Sequence, residues 1–134
     1  MALTLTLEQA NEAVAAAIRQ ARGMNIRISV AVCDTGGHLI AFGRMDEAGW
    51  AGVYGAQGKA IASAATGSPS GRIPSDLHVM RRINALSGDR MIYSQGAVPI
   101  VIDGKLVGAI GAGGGTAEQD EDCASAGAAV LGKT

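Results

Sequence analysis

The stretch from Ala97 to Thr116 restricts the fold more than any other part of the chain. Val98, Ile100 and Ile102 alternate with their neighbours, and Lys105–Ala112 returns with Leu106, Val107, Ala109 and Ile110. Between them stands Asp103-Gly104, a pair suited to the tight turn in which both central residues take positive φ. Gly113-Gly114-Gly115 then leads to Thr116, with Gln119 three residues on, the pattern of a helix start whose side chains satisfy free backbone N–H groups. A hairpin that runs directly into a helix calls for an antiparallel sheet with helices folded over it.

A second hairpin is written nearer the N-terminus. Ile26, Ile28, Val30 and Val32 alternate with Arg27, Ser29, Ala31 and Cys33, which predicts a strand with one buried face. Asp34-Thr35-Gly36-Gly37 is a turn, and Leu39–Met45 is the returning strand. Around these, the spacing of Ala10, Val14, Ala17, Ile18 and Ala21 predicts a helix over Leu7–Arg22, capped by Thr6 and Gln9 and stopped by Gly23. Trp50–Ala65 is dense in Ala, Gly and Ser and reads as a helix packed very closely on its neighbour, despite the cost of its glycines. A loop from Gly67 to Pro74 follows, then a helix over Asp76–Leu86 capped by Ser75 and ended by Gly88, and a short strand at Met91–Ser94. The final helix starts at Thr116 and is closed by Gly132. The expected class is α/β in the wide sense (α+β). It comprises a mainly antiparallel five-stranded sheet covered by helices, in the order α-ββ-αα-βββ-α.

Composition narrows the function. At 134 residues the chain is expected to be one domain over 1–134. It is 48% hydrophobic but only 3% aromatic, so Ala, Val, Ile and Leu must make the core. A net charge of −1 with interspersed signs argues against a nucleic-acid partner, which would need a basic stripe with stacking aromatics. Apolar runs fall well short of the ~18–20 residues of a membrane span. Met1–Thr6 lacks a basic segment followed by an apolar one, so the cytoplasm is the expected location. Cys33 and Cys123 form no metal-ligand spacing and no disulfide framework, and Cys33 fits a buried small hydrophobe.

Three segments, taken in order, resemble the haem-degrading-domain family, the HbpS/GlcG-like proteins. They are Val30–Leu39 with its Asp-x-Gly-Gly-His-Leu turn, Ala97–Gly104 continued by Val107–Gly111, and Thr116–Glu121 leading into Ala124–Gly127. The region from Gly67 to Ser94 is less similar. The resemblance implies a profilin-like or GlcG-like fold, close to that of the PduO C-terminal domain, often assembled into homo-oligomers. Some relatives bind haem and some are linked to haem degradation or redox sensing, whereas others sit among catabolic enzymes without agreed chemistry; whether this chain is an enzyme stays open.

Two sets of residues compete as the site. For haem, a neutral imidazole is a good iron ligand, which makes His38 (after the diglycine turn) and His78 (on the helix after Pro74) the candidates; each is equally readable as a solvated surface histidine. For an organic acid, the Gly113, Gly114, Gly115 and Thr116 turn offers N–H groups at a helix start, where backbone donors and the helix dipole favour an anion. Lys59 and Arg82 are the cationic side chains that would join it, with a solvated face or a tight structural connection as the plain alternatives. Neither histidine belongs to a zinc pattern. The expected function is therefore binding of a small molecule, haem first, with a role in organic-acid catabolism as the alternative.

Overall fold

The reciprocal cap predicted at the first helix is present. Thr6 Oγ1 accepts from the Gln9 N–H at 3.0 Å, and Gln9 Oε1 accepts from the Thr6 N–H at 3.0 Å, so helix α1 (Leu7–Gly23) starts with its free donors satisfied. The structure, a computed structural model, describes residues 4–132. Gly23 does not provide the stop; it is the last helical residue, and Asn25 takes the left-handed conformation at φ 57°. The Met24 N–H still bonds to Gln20 and Ala21 carbonyls, which delays the chain's departure to the next residue.

Strands β1 (Ser29–Cys33) and β2 (Leu39–Arg44) form the first hairpin, and β3 (Ala97–Ile102) and β4 (Lys105–Gly113) the second. All pairings are antiparallel and the sheet order is β2-β1-β4-β3. Asp103 and Gly104 sit at φ 51° and 77°, as the two-residue turn requires. The expected fifth strand is absent, and the order is α-ββ-αα-ββ-α. Met91–Ser94 spends its hydrogen bonds elsewhere. Asn84 brackets Met91, donating from Nδ2 to its carbonyl at 3.0 Å and accepting its N–H on Oδ1 at 2.9 Å, while the Ile92 N–H goes to the Gly58 carbonyl at 3.0 Å.

Helices α2 (Ala51–Thr66), α3 (His78–Leu86) and α4 (Ala117–Ala129) complete the described residues, with a 3-10 turn at Ser70–Arg72. Ser75 does not cap α3. The Leu77 N–H turns back to the Pro74 carbonyl, which places Ser75 inside a turn, and the helix begins at His78 with no side-chain cap. Gly88, at φ 87°, ends α3 as expected. Thr116 and Gln119 repeat the reciprocal cap at α4. No described helix is long and apolar enough to cross a membrane.

The two faces of the sheet are covered differently. On one, Val30, Val32, Ile100 and Ile110 meet the buried sides of α1 and α4 and form the main core. On the other, α2 lies over a seam of small residues, Ser29, Ala31 and Cys33 of β1 opposite Gly113, Gly111 and Ala109 of β4. β1 is consequently buried on both faces, where alternation had predicted one. The seam explains Gly52 of α2, whereas Gly58 makes room for Ile92. A Cβ built on Gly111 would run into the Ala56 carbonyl and the Ala60 nitrogen, and one on Gly52 would lie 2.7 Å from the Gly113 carbonyl oxygen. Helix and sheet touch backbone to backbone, which only residues without bulky side chains allow.

Candidate functional site

The turn between β1 and β2 is organised by one carboxylate. Asp34 Oδ1 accepts the N–H groups of Gly36 and His38, each at 2.9 Å, and also faces His38 Nδ1 at 3.1 Å, with Oδ2 at 3.2 Å from the same nitrogen. A carboxylate accepts only, so Nδ1 carries a proton, and in the neutral ring Nε2 then keeps its lone pair free. The ring folds back over Gly36, where a Cβ would meet its Cε1 at 2.8 Å. The His38 side chain is nevertheless 78% exposed, so Nε2 is available to an incoming ligand.

Partial burial pushes the Asp34 carboxyl up, but the His38 and Gly36 N–H groups, followed by the imidazole itself, outweigh it and hold the group below its ordinary value. A lowered value means that the stabilisation is present above the unfolded carboxylate range and disappears only as pH falls through the lower folded value. The amide resonances of Gly36 and His38 should therefore keep their hydrogen-bonded shifts down through the ordinary Asp range and move only below it. Movement already near pH 5, followed by NMR, would contradict this arrangement.

Gly37 and Leu39, on either side of His38, line a small cavity against α2 with Ala31, Cys33, Gln57, Ala60 and Ile61. Its volume of about 20 Å³ holds one water and no organic ligand. Cys33 beside it is pushed up to about 12 by burial and then by the Asp34 charge, and Cys123 to about 11 by burial and then by Asp120 and Asp122. Both are thiols at neutral pH and poor nucleophiles.

Lys59 is 7% exposed. Its amine does not reach water; it pairs with Asp120 Oδ2 at 3.1 Å and donates to the Gln95 carbonyl at 3.4 Å. The other oxygen of Asp120, a residue 3% exposed, accepts the Gly115 N–H at 2.8 Å. Two N–H groups of the glycine turn are thus satisfied from inside. Gly115 is taken by Asp120, Thr116 N–H by the Gln119 side chain at 2.9 Å, and Gln119 N–H by the Thr116 hydroxyl at 3.2 Å. Gly113 packs under α2, while Gly114, Gly115 and Thr116 border a wide, open depression with Asn25, Arg27 and Glu47. The cation at that depression is Arg27, held by the Asp46 carbonyl at 2.9 Å and Glu47 at 3.5 Å. Arg82 does not border it; it projects from α3, exposed and without a hydrogen bond or ion pair among the described residues. His78 begins the same helix, also exposed and without a side-chain hydrogen bond.

Asp120 is the residue that sequence reasoning passed over, because an acid in the first turn of a helix is accounted for by the dipole. Helical spacing carried the missing signal. Asp120, Cys123, Ala124 and Gly127 form the buried stripe of α4, and Ala56, Lys59, Ala60 and Ser63 that of α2. A lysine and an aspartate on two separate buried stripes have to find each other.

Comparison with known proteins agrees with this architecture. Residues 5–129 match the family described as haem degrading protein HbpS-like. Protein GlcG of Escherichia coli K12 is 36% identical over 107 residues, spanning 80% of this chain and 79% of GlcG. The crystal structure of a Streptomyces reticuli HbpS double mutant superposes with a TM-score of 0.86 at 30% identity, covering 99% of this chain and 90% of that one. A haem complex of PduOC shares the fold with a TM-score of 0.84 at 20% identity, over 98% and 100% of the two chains. The resemblance carried by the Asp34–Leu39 turn and the Asp103-Gly104 hairpin thus extends over almost the full length, and the chain belongs to the HbpS-like haem-degrading protein family.

Proposed function

We propose that this chain is a single small-ligand-binding domain that takes haem at its surface, with His38 as the iron ligand, and works as a homo-oligomer. The observation that carries the reading is the imidazole held by Asp34. Metal-binding histidines commonly give their second N–H to a carboxylate, which fixes the ring and raises the basicity of the free nitrogen. That nitrogen here is Nε2, facing outward between two residues that line the α2 side of the sheet. Bound haem would supply a redox-active iron.

The residues fit a haem lying on the surface rather than one sunk in the core. The small cavity near His38 has room for one water. Outside it, Leu39 next to His38 is an exposed large side chain and gives a macrocycle apolar area to lie against. That the haem complex of PduOC has this fold supports the choice of ligand. His78 has no carboxylate to orient it, which favours His38 between the two. The organic-acid reading has less support, since the Gly115 and Thr116 N–H groups and Lys59 already have partners within the protein.

Haemin titration of the purified protein tests the reading. A saturable, stoichiometric Soret shift is expected, lost in His38→Ala and retained in His78→Ala. Asp34→Asn should weaken binding by about tenfold or more, as loss of a metal ligand's supporting carboxylate does. A featureless, unsaturable titration would sink the proposal, and so would a His38→Ala protein that binds as the wild type does.

A further inference from the structure

Helix α3 is amphipathic but wrongly dressed for a solvated helix. None of its residues is fully buried, and Val79, Ile83 and Leu86 recur at helical spacing with their side chains outward, Leu86 being 82% exposed. Arg82 stands on the same stripe, one turn from both Val79 and Leu86. From Arg72 to Arg90 the chain carries four arginines against two aspartates, although its total charge is −1. None of these charged side chains has an ion-pair partner among the described residues.

The other side of the molecule has the complement. Leu7, Glu8, Asn11, Glu12 and Ala15 form an open, shallow face along α1, with Leu7 and Ala15 as its exposed apolar members. No basic residue precedes Arg19, and neither glutamate is bonded to another described side chain. From Glu8 to Ala15 and from Val79 to Leu86 the two stripes have the same length, roughly 10 Å at 1.5 Å per residue.

We propose that α3 of one copy of this chain docks along this α1 face of a second copy, Val79, Ile83 and Leu86 covering Leu7 and Ala15 while Arg82 meets Glu8 and Glu12. The association is head-to-tail. Each copy offers both halves, so assembly continues until the rotation closes a ring or, failing closure, runs on as a filament. The inference gives the self-association proposed above a definite interface and does not depend on haem.

Sedimentation velocity on the full chain, over a range of protein and salt concentrations, tests it. Wild-type protein should assemble, more weakly at high salt. Arg82→Glu, Glu12→Arg and Leu86→Glu should each weaken assembly at least about tenfold. Arg82→Glu mixed with Glu12→Arg should assemble again although neither does alone, because every junction between unlike chains pairs opposite charges. Joining the two changes in one chain should restore assembly. All three positions are exposed, so circular-dichroism melts should match the wild type; if Leu86→Glu does not fold, the charge variants carry the test. A wild type that is monomeric at micromolar concentration would remove both this interface and the homo-oligomer reading. Assembly that ignores all three substitutions, or responds to Arg82→Glu but not to Glu12→Arg, would remove this interface and leave the homo-oligomer standing.

Discussion

Alanine at position 120 should lower the melting temperature by roughly 10–20 °C, the equivalent of about 3–5 kcal/mol for a buried ion pair broken on one side. The carboxylate of Asp120 is the acceptor of two groups that have nowhere else to turn. Without it the Lys59 ammonium stays buried with only the Gln95 carbonyl at 3.4 Å, and the Gly115 N–H loses its acceptor. Three segments, α2, the Gly113–Thr116 turn and α4, are pinned together by that one side chain. The remedy should be removal of both charges. A Lys59→Met, Asp120→Leu double variant is expected to regain at least half of the loss, because well-packed apolar residues replace buried pairs at little cost. Circular-dichroism melts at neutral pH decide it. A loss below about 1 kcal/mol for Asp120→Ala would mean that the pair is effectively solvated, in conflict with its burial.

Valine at position 111 should be nearly as damaging, by more than about 3 kcal/mol, at the upper end of what overpacking costs. Most overpacked sites are relieved by turning a neighbouring side chain, but here the obstacle is backbone. The first added carbon would already collide with the Ala56 carbonyl and the Ala60 nitrogen, so α2 as a whole has to lift from the sheet. Gly23 provides the contrast. Nothing lies within 4 Å of a Cβ there, and the residue closes α1, so Gly23→Ala should stabilise by about 0.5–1 kcal/mol. Urea titrations followed by circular dichroism would measure both. A Gly111→Val protein as stable as the wild type would show that α2 does not rest on the seam as described.

What could be read in the sequence was what local chemistry decides. The Thr6–Gln9 and Thr116–Gln119 caps, the Asp103-Gly104 turn and the Asp34 turn each consist of groups within a few residues of one another, and each appears as expected. Density of small residues in α2 also foretold a close approach, though not to which strands. Gly23 and Ser75 failed on local bonds, whereas the other failures involve partners outside the segment itself. Met91–Ser94 has a strand's composition, but Asn84 and Gly58 claim its backbone first. Lys59 reads as a lysine with its amine in water until Asp120, 61 residues later, is placed beside it. Of the site, the turn around His38 was legible and the orienting role of Asp34 was not, since a turn-forming aspartate accounts for the same sequence without its second bond to the ring. Arg27 was hidden by strand alternation, which explains an outward arginine without asking what it faces.

The placement of the single tryptophan has a practical optical consequence. Trp50 is 73% exposed and stands edge-on to Tyr54 with ring centroids 6.1 Å apart, on the outer side of α2 and away from both cores. Its indole meets water whether the chain is folded or not, so its emission should change little during unfolding, and a fluorescence melt would record almost nothing of an otherwise cooperative transition. The same residue becomes a clean reporter of occupancy. A chromophore or a second chain laid over that surface should quench or blue-shift the emission while the fold beneath it stays unchanged, separating a signal of docking from one of denaturation without any added label.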